Sequence, residues 1–237
     1  MEKPDFRGEY LRQPKDVHFP DPRSTSVKYD AAIGKMRPFT LEDHYRAVCD
    51  LTTHPGVPER IKIQFETAKN LYLYAWHVYR FLAVAEHHSL ACLELALRER
   101  FGEDLPKKYV GRGGRPTLRP LLRYARDNGF IKNEGFARWH KRAQRMAEHR
   151  YSSEKSAEMH AKGLNSISLD YSEVVVIDED RRWDLIQILI DTLPLTRNDY
   201  AHGSGSISNQ VRGTLELVVE IINQIFARAF PLSSAAK

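Results

Sequence analysis

Cysteine is nearly absent. The 237 residues hold two, Cys49 and Cys92, which supplies neither a disulfide framework nor the ligand spacing of a zinc site. Each falls in an apolar helical pattern, so each is expected to be a small buried hydrophobe. Long hydrophobic runs are missing as well: none approaches the roughly 18 residues that a membrane helix needs. The opening residues, Met1-Glu2-Lys3-Pro4-Asp5-Phe6-Arg7, carry no apolar export signal, so the expected location is cytoplasmic, with no membrane partner. The ten histidines form no H-E-x-x-H. Glu148-His149 and Glu158-x-His160 have no third ligand at helical spacing, and the adjacent His87-His88 cannot face one ion from one helix. G-x-S-x-G and the dinucleotide fingerprint are absent. The loop Gly111-Arg112-Gly113-Gly114-Arg115-Pro116 lacks P-loop spacing and follows a helical pattern, not a strand. The expectation is no metal and no cofactor.

What is present suits one helical domain with additions. Hydrophobic residues make up 42% of the chain, enough for a core, and charged residues 28%. The net charge of +5 is unevenly placed. Residues 105–150 hold thirteen lysines and arginines against three acids, a local excess of ten that leaves the rest of the chain acidic. A segment of this kind attracts polyanions, RNA among them, or is simply a solvated helix face. Arg112, Arg115, Arg119, Arg123, Lys141 and Arg142 are its candidate RNA contacts.

Residues 1–39 carry five prolines and little apolar periodicity, which reads as an extended arm. Thr40 with Glu42 and Asp43 marks a helix start, and the pattern predicts a short helix over 41–51. From Glu59 to Phe101 there is neither Gly nor Pro, and apolar residues recur at helical spacing. This is one very long helix or two in tandem, broken near Thr67 or near His87-His88-Ser89, with Gly102 as its stop. The aromatic stripe Tyr72, Tyr74, Trp76, Tyr79 and Phe81 is expected to be core. Further helices are predicted over 118–128 and, highly charged with a narrow apolar stripe, over 134–160. Val174-Val175-Val176-Ile177 is either a short strand or an extended connection. Asp178 to Asp180 can cap the next helix, which Pro194 kinks or restarts. Gly203-Ser204-Gly205 forms a turn before a last apolar helix that starts at Ser208, and the tail 231–237 is loose. No internal repeat is visible.

The join between the last two helices carries the chemistry. In Arg197-Asn198-Asp199-Tyr200-Ala201-His202-Gly203, Asn198 and His202 are four apart and share a helix face. Arg197, five residues before His202, points about 140° away from it, yet its long side chain reaches the same cleft. Gly203 stops the helix and leaves the imidazole at an accessible end. Arg-to-His pairs of similar spacing occur four more times, at Arg12–His18, Arg37–His44, Arg80–His87 and Arg142–His149. None of those has Asn after the Arg, and none ends in His-Gly before an apolar helix. The alternative is that Arg197 and His202 only cap a helix C-terminus, where cations are favoured.

This string resembles the R-x(4–6)-H motif of the HEPN (higher eukaryotes and prokaryotes nucleotide-binding) ribonucleases, in which a polar residue, often Asn, follows the Arg. The order of a long early helix, a motif-bearing late helix, a turn and a final apolar helix is similar over residues 59–230. The resemblance implies a mainly all-α fold: an HEPN-like helical bundle with long antiparallel helices, spanning 40–230, with the arm 1–39 and an inserted basic helical segment at about 105–160. It implies a metal-independent endoribonuclease in which Arg197, Asn198 and His202 are catalytic. Glu86, Glu94, Arg98 and Tyr200 occupy supporting positions. It also implies a homodimer with the active site at its interface, a role as a toxin or an effector of phage defence or stress response, and a protein antitoxin or regulator as partner. Some such toxins carry Tyr two residues after the motif His; here that position is Ser204, so regulation at that residue is not expected. The alternatives are a non-catalytic HEPN module that binds RNA, a nucleotide or a protein, and a DNA-binding regulator that uses 118–128 as its recognition helix.

Overall fold

The structure, a computed structural model, describes residues 11–102, 105–110, 116–202 and 210–227. Among these it is mainly α-helical, with seven α-helices and one two-stranded hairpin. None of the described helices is long and apolar enough to cross a membrane. The chain divides into two units, one of residues 1–130 with 190–237 and one of residues 131–189.

From residue 11, the first described one, the first unit holds a folded-back segment within the 1–39 stretch expected as an extended arm. A 3-10 turn at Pro14–Asp16 precedes β1 (Val27–Asp30) and β2 (Lys35–Pro38), paired antiparallel from Val27↔Pro38 to Asp30↔Lys35. Gly34, at φ +64°, supplies the left-handed residue of the turn. Both strands are largely exposed, so no alternation of polar and apolar residues announces them. Thr40 then starts α1 (Leu41–Arg46) with a capping box: its hydroxyl accepts from the Asp43 N–H, and the Asp43 carboxylate accepts from the Thr40 N–H.

Two helices fill the gap-free stretch 59–101, namely α2 (Glu59–Tyr74) and α3 (Phe81–Phe101). The break lies at 75–80, at neither of the expected places. Its cause is remote in sequence. The Ala75 and Trp76 carbonyls accept from the Ser24 hydroxyl and the Asp21 N–H, and the Tyr79 N–H donates to the Asp21 carboxylate. Backbone groups that would have extended the helix are satisfied by the N-terminal segment instead. The aromatic stripe divides accordingly: Tyr72 and Trp76 are buried, Tyr79 and Phe81 half-buried, and Tyr74 exposed. Of the cysteines, Cys92 is buried in α3, whereas Cys49 is only half-buried, because α1 ends at Arg46 before reaching it.

Helix α4 (Leu118–Asp127) belongs to this unit, although the sequence placed it within the basic insert. Helix α6 (Leu185–Ala201) runs without interruption through Pro194, and α7 (Val211–Ala227) follows. Helix α3 packs against α2, α4 and α7. It therefore buries residues all round, from Leu82 to Phe101, and α7 does the same from Val211 to Ile225.

The second unit is built on α5 (Ala137–Ala161). Trp139, Ala143 and Ala147, at i, i+4 and i+8, form its one buried stripe. Arg150 holds buried Asp180 at 3.0 Å, and the Trp139 indole donates to the Trp183 carbonyl. Residues 174–177 are an irregular connection between 3-10 turns at Tyr171–Glu173 and Glu179–Arg181. Asp178–Asp180 do not cap α6. Asp184 does, its carboxylate accepting from the Gln187 N–H. The turn 203–205, the helix start at Ser208 and the tail 231–237 lie outside the described residues.

Candidate active site

The last turn of α6 lies against α3. Arg197 Nε is 3.2 Å from Oε2 of Glu94, a carboxylate with 4% of its surface exposed. The N–H is not aimed at that oxygen, so this is an ion pair without a hydrogen bond. The other oxygen of Glu94 takes a hydrogen bond from Arg98, one turn along α3. Arg98 also donates to the Pro116 carbonyl ahead of α4, from Nε at 3.2 Å and Nη2 at 3.1 Å. One buried carboxylate thus sits between two guanidiniums and leaves a local charge of +1. The terminal nitrogens of Arg197 have no partner among the described residues.

These groups line a pocket of about 190 Å³ with Asn198, Thr117, Leu118 and Pro194. The continuity of α6 through Pro194 brings the proline ring into the wall. Asn198 is exposed. His202 follows one turn on, its N–H bonded to the Asn198 carbonyl at 3.0 Å, which keeps both side chains on one face. The His202 side chain is exposed, lies outside the pocket wall and has no partner among the described residues.

A second cluster holds the same helices together. Glu86 is 3% exposed. Its oxygens accept from the Tyr200 hydroxyl of α6 and the Thr214 hydroxyl of α7, each at 2.5 Å. The His87 ring centre lies 6.4 Å from that of Tyr200. Burial first, then the Arg197 charge and His88, hold the His87 imidazole below its usual range, so it is neutral near pH 7.

Arg197, Asn198, Glu94 and Arg98 come together at one pocket, and Glu86 and Tyr200 at the neighbouring cluster. His87 and Thr214 were missed. Both act across more than a hundred residues of sequence, and His87 was weighed only with His88 as a metal ligand, as a helix break and as the end of the Arg80–His87 spacing. Of the candidate RNA contacts, Arg112 and Arg115 lie outside the described residues. Arg119 donates to the Asp191 carbonyl at 3.2 Å, and Arg123 is exposed on α4. Lys141, exposed, and Arg142, 4.7 Å from the centre of the Trp183 ring, are in the second unit. No protein-family model, curated protein or solved structure matches the chain.

Proposed function

We propose that this chain is a metal-independent endoribonuclease of the HEPN type, with Arg197, Asn198 and His202 as its reacting groups. One observation carries the reading. Arg197 and Asn198 share a pocket with a second guanidinium, and one turn further His202 stands exposed on the face of Asn198. Histidine as a residue type titrates near neutrality and suits removal of the RNA 2′-hydroxyl proton, help worth about 10²–10⁴-fold. O2′ then bonds to phosphorus, the bond from phosphorus to O5′ breaks, and O5′ leaves with a proton taken from an imidazolium. The product end is a 2′,3′-cyclic phosphate. The uncommitted nitrogens of Arg197 suit the extra charge of the phosphorane, and Glu94 positions that guanidinium. Asn198 orients the substrate.

The resemblance also makes the active protein a homodimer in which two copies of the motif share a cleft. Arg119, Arg123, Lys141 and Arg142 then serve as contacts along the RNA backbone. A cytoplasmic role in phage defence or stress response, restrained by a protein antitoxin, belongs to this reading. The test is cleavage of RNA in the presence of a chelator by the wild type and by His202→Ala. The reading expects cleavage by the first and a loss of at least about 10²-fold in the second. Equal rates overturn it.

One observation favours a second reading, a non-catalytic module that binds RNA, a nucleotide or a protein partner. Arg197 is already paired with a buried carboxylate, as a structural residue would be. RNA binding that survives His202→Ala, with no cleavage product from the wild type, supports this alternative.

A further inference from the structure

A larger pocket opens elsewhere in the first unit, between residues 23–39, α1, α2 and the start of α7. Its volume is about 370 Å³, within the range of small-ligand sites. Four rings line it: Phe39, His44, Tyr72 and Tyr79. Two are locked in place. His44 stacks on Tyr72 with ring centres 4.4 Å apart and planes within 6°, and His44 Nε2 donates to the Tyr72 carbonyl at 2.7 Å. Phe39 meets His44 edge-on at 6.3 Å. The wall is aromatic and pre-organised.

The polar lining is cationic. Among the described residues, Arg23 and Arg212 are its charged lining and no carboxylate lines it. Each guanidinium is held by a neighbour set back from the wall. Arg23 is bound to Asp21 at 2.9 Å and lies over the Tyr79 ring. Arg212 donates from Nε to the Ala47 carbonyl at 2.8 Å and pairs with Glu216 at 3.7 Å through Nη1. Nη2 of Arg212 has no partner among the described residues. Tyr72 lines the same wall and bonds to no described residue through its hydroxyl, which is not a buried atom. Burial raises its pKa while Arg212 opposes this, so the hydroxyl remains a donor.

An aromatic wall, a guanidinium with an open terminal nitrogen and a phenol donor together suit a flat aromatic ring that carries an anion. We propose that this pocket binds a mononucleotide, with its base against the ring wall and its phosphate at Arg212. The site is separate from the pocket at the end of α6 and shares no residue with it.

The test is titration calorimetry on the full chain with the four ribonucleoside 5′-monophosphates, with adenosine, which lacks the anion, and with ribose 5-phosphate, which lacks the ring. At least one monophosphate is expected to bind one per chain, with adenosine and ribose 5-phosphate each at least tenfold weaker. Arg212→Gln is expected to weaken binding at least tenfold. Ser26→Trp, at an exposed position on the pocket wall, is expected to block the site while the melting temperature stays that of the wild type. His202→Ala is expected to bind as the wild type does, which keeps this result independent of the ribonuclease reading. The proposal is overturned if no monophosphate binds at millimolar concentration. It is also overturned if ribose 5-phosphate binds as tightly as the nucleotides, or if neither Arg212→Gln nor Ser26→Trp changes the affinity.

Discussion

A carboxylate with 3% of its surface exposed needs its oxygens occupied, and Glu86 finds Tyr200 and Thr214 on two other helices. Leaving such a buried acceptor unsatisfied costs about 1–3 kcal/mol. Tyr200→Phe removes one donor and keeps the ring, so it is expected to lower stability by about 2 kcal/mol, read as a lower urea midpoint. An unchanged midpoint shows that Tyr200 is not holding α6 to α3. At this scale the sequence was partly legible. The resemblance singled out Glu86, Glu94 and Arg98 in the long Gly- and Pro-free stretch, and helical spacing placed Arg197, Asn198, Tyr200 and His202 on one helix. That Glu94 faces Arg197 while Glu86 faces Tyr200 depends on how those helices approach, which spacing along one chain does not encode. Thr214 and His87 entered the site the same way.

Between elements, the connection from α2 to α3 shows how a distant segment can decide a helix end. Nothing between Glu59 and Phe101 breaks a helix locally, for Gly and Pro are absent. Asp21, with no exposed surface, accepts from the Arg23 side chain, the Arg23 N–H and the Tyr79 N–H. Burial works against its charge, but these donors outweigh it and hold its pKa below the usual range. Asp21→Asn keeps the shape and removes the charge. It is expected to cost about 2–3 kcal/mol, seen in urea unfolding. Retention of wild-type stability contradicts this account of the break. Where the determinants were local, the reading succeeded: a helix start at Thr40 and a narrow apolar stripe on the charged helix were expected, and the capping box of α1 and Trp139, Ala143 and Ala147 of α5 supply them. The hairpin at 27–38 escaped because its strands bury too little for a period of two to show.

For the whole molecule, stability should depend on pH through His44. Burial lowers its pKa, while its bond to the Tyr72 carbonyl works the other way. The unfolded chain takes up this proton near pH 6.5 and the folded chain only at lower pH, so the unfolded state binds more protons. Stability is therefore held above about pH 6.5 and declines as pH falls below it. His87, lowered in the same direction, adds to the decline. Urea midpoints at pH 7.5 and 5.5 are expected to fall in the wild type and to fall less in His44→Gln; an equal fall in both contradicts the assignment. Charge is also arranged at this scale. The basic run 105–150 spans the unit boundary at 130, with the buried leucines of α4 packed within the first unit. Acid–base chemistry at His202 leaves its signature on the ends of the cleaved RNA. Wild-type protein incubated with RNA in chelator is predicted to leave 2′,3′-cyclic phosphate ends, and His202→Ala to leave intact RNA. Ends bearing a 3′-hydroxyl, or cyclic ends produced as fast by His202→Ala, contradict the account.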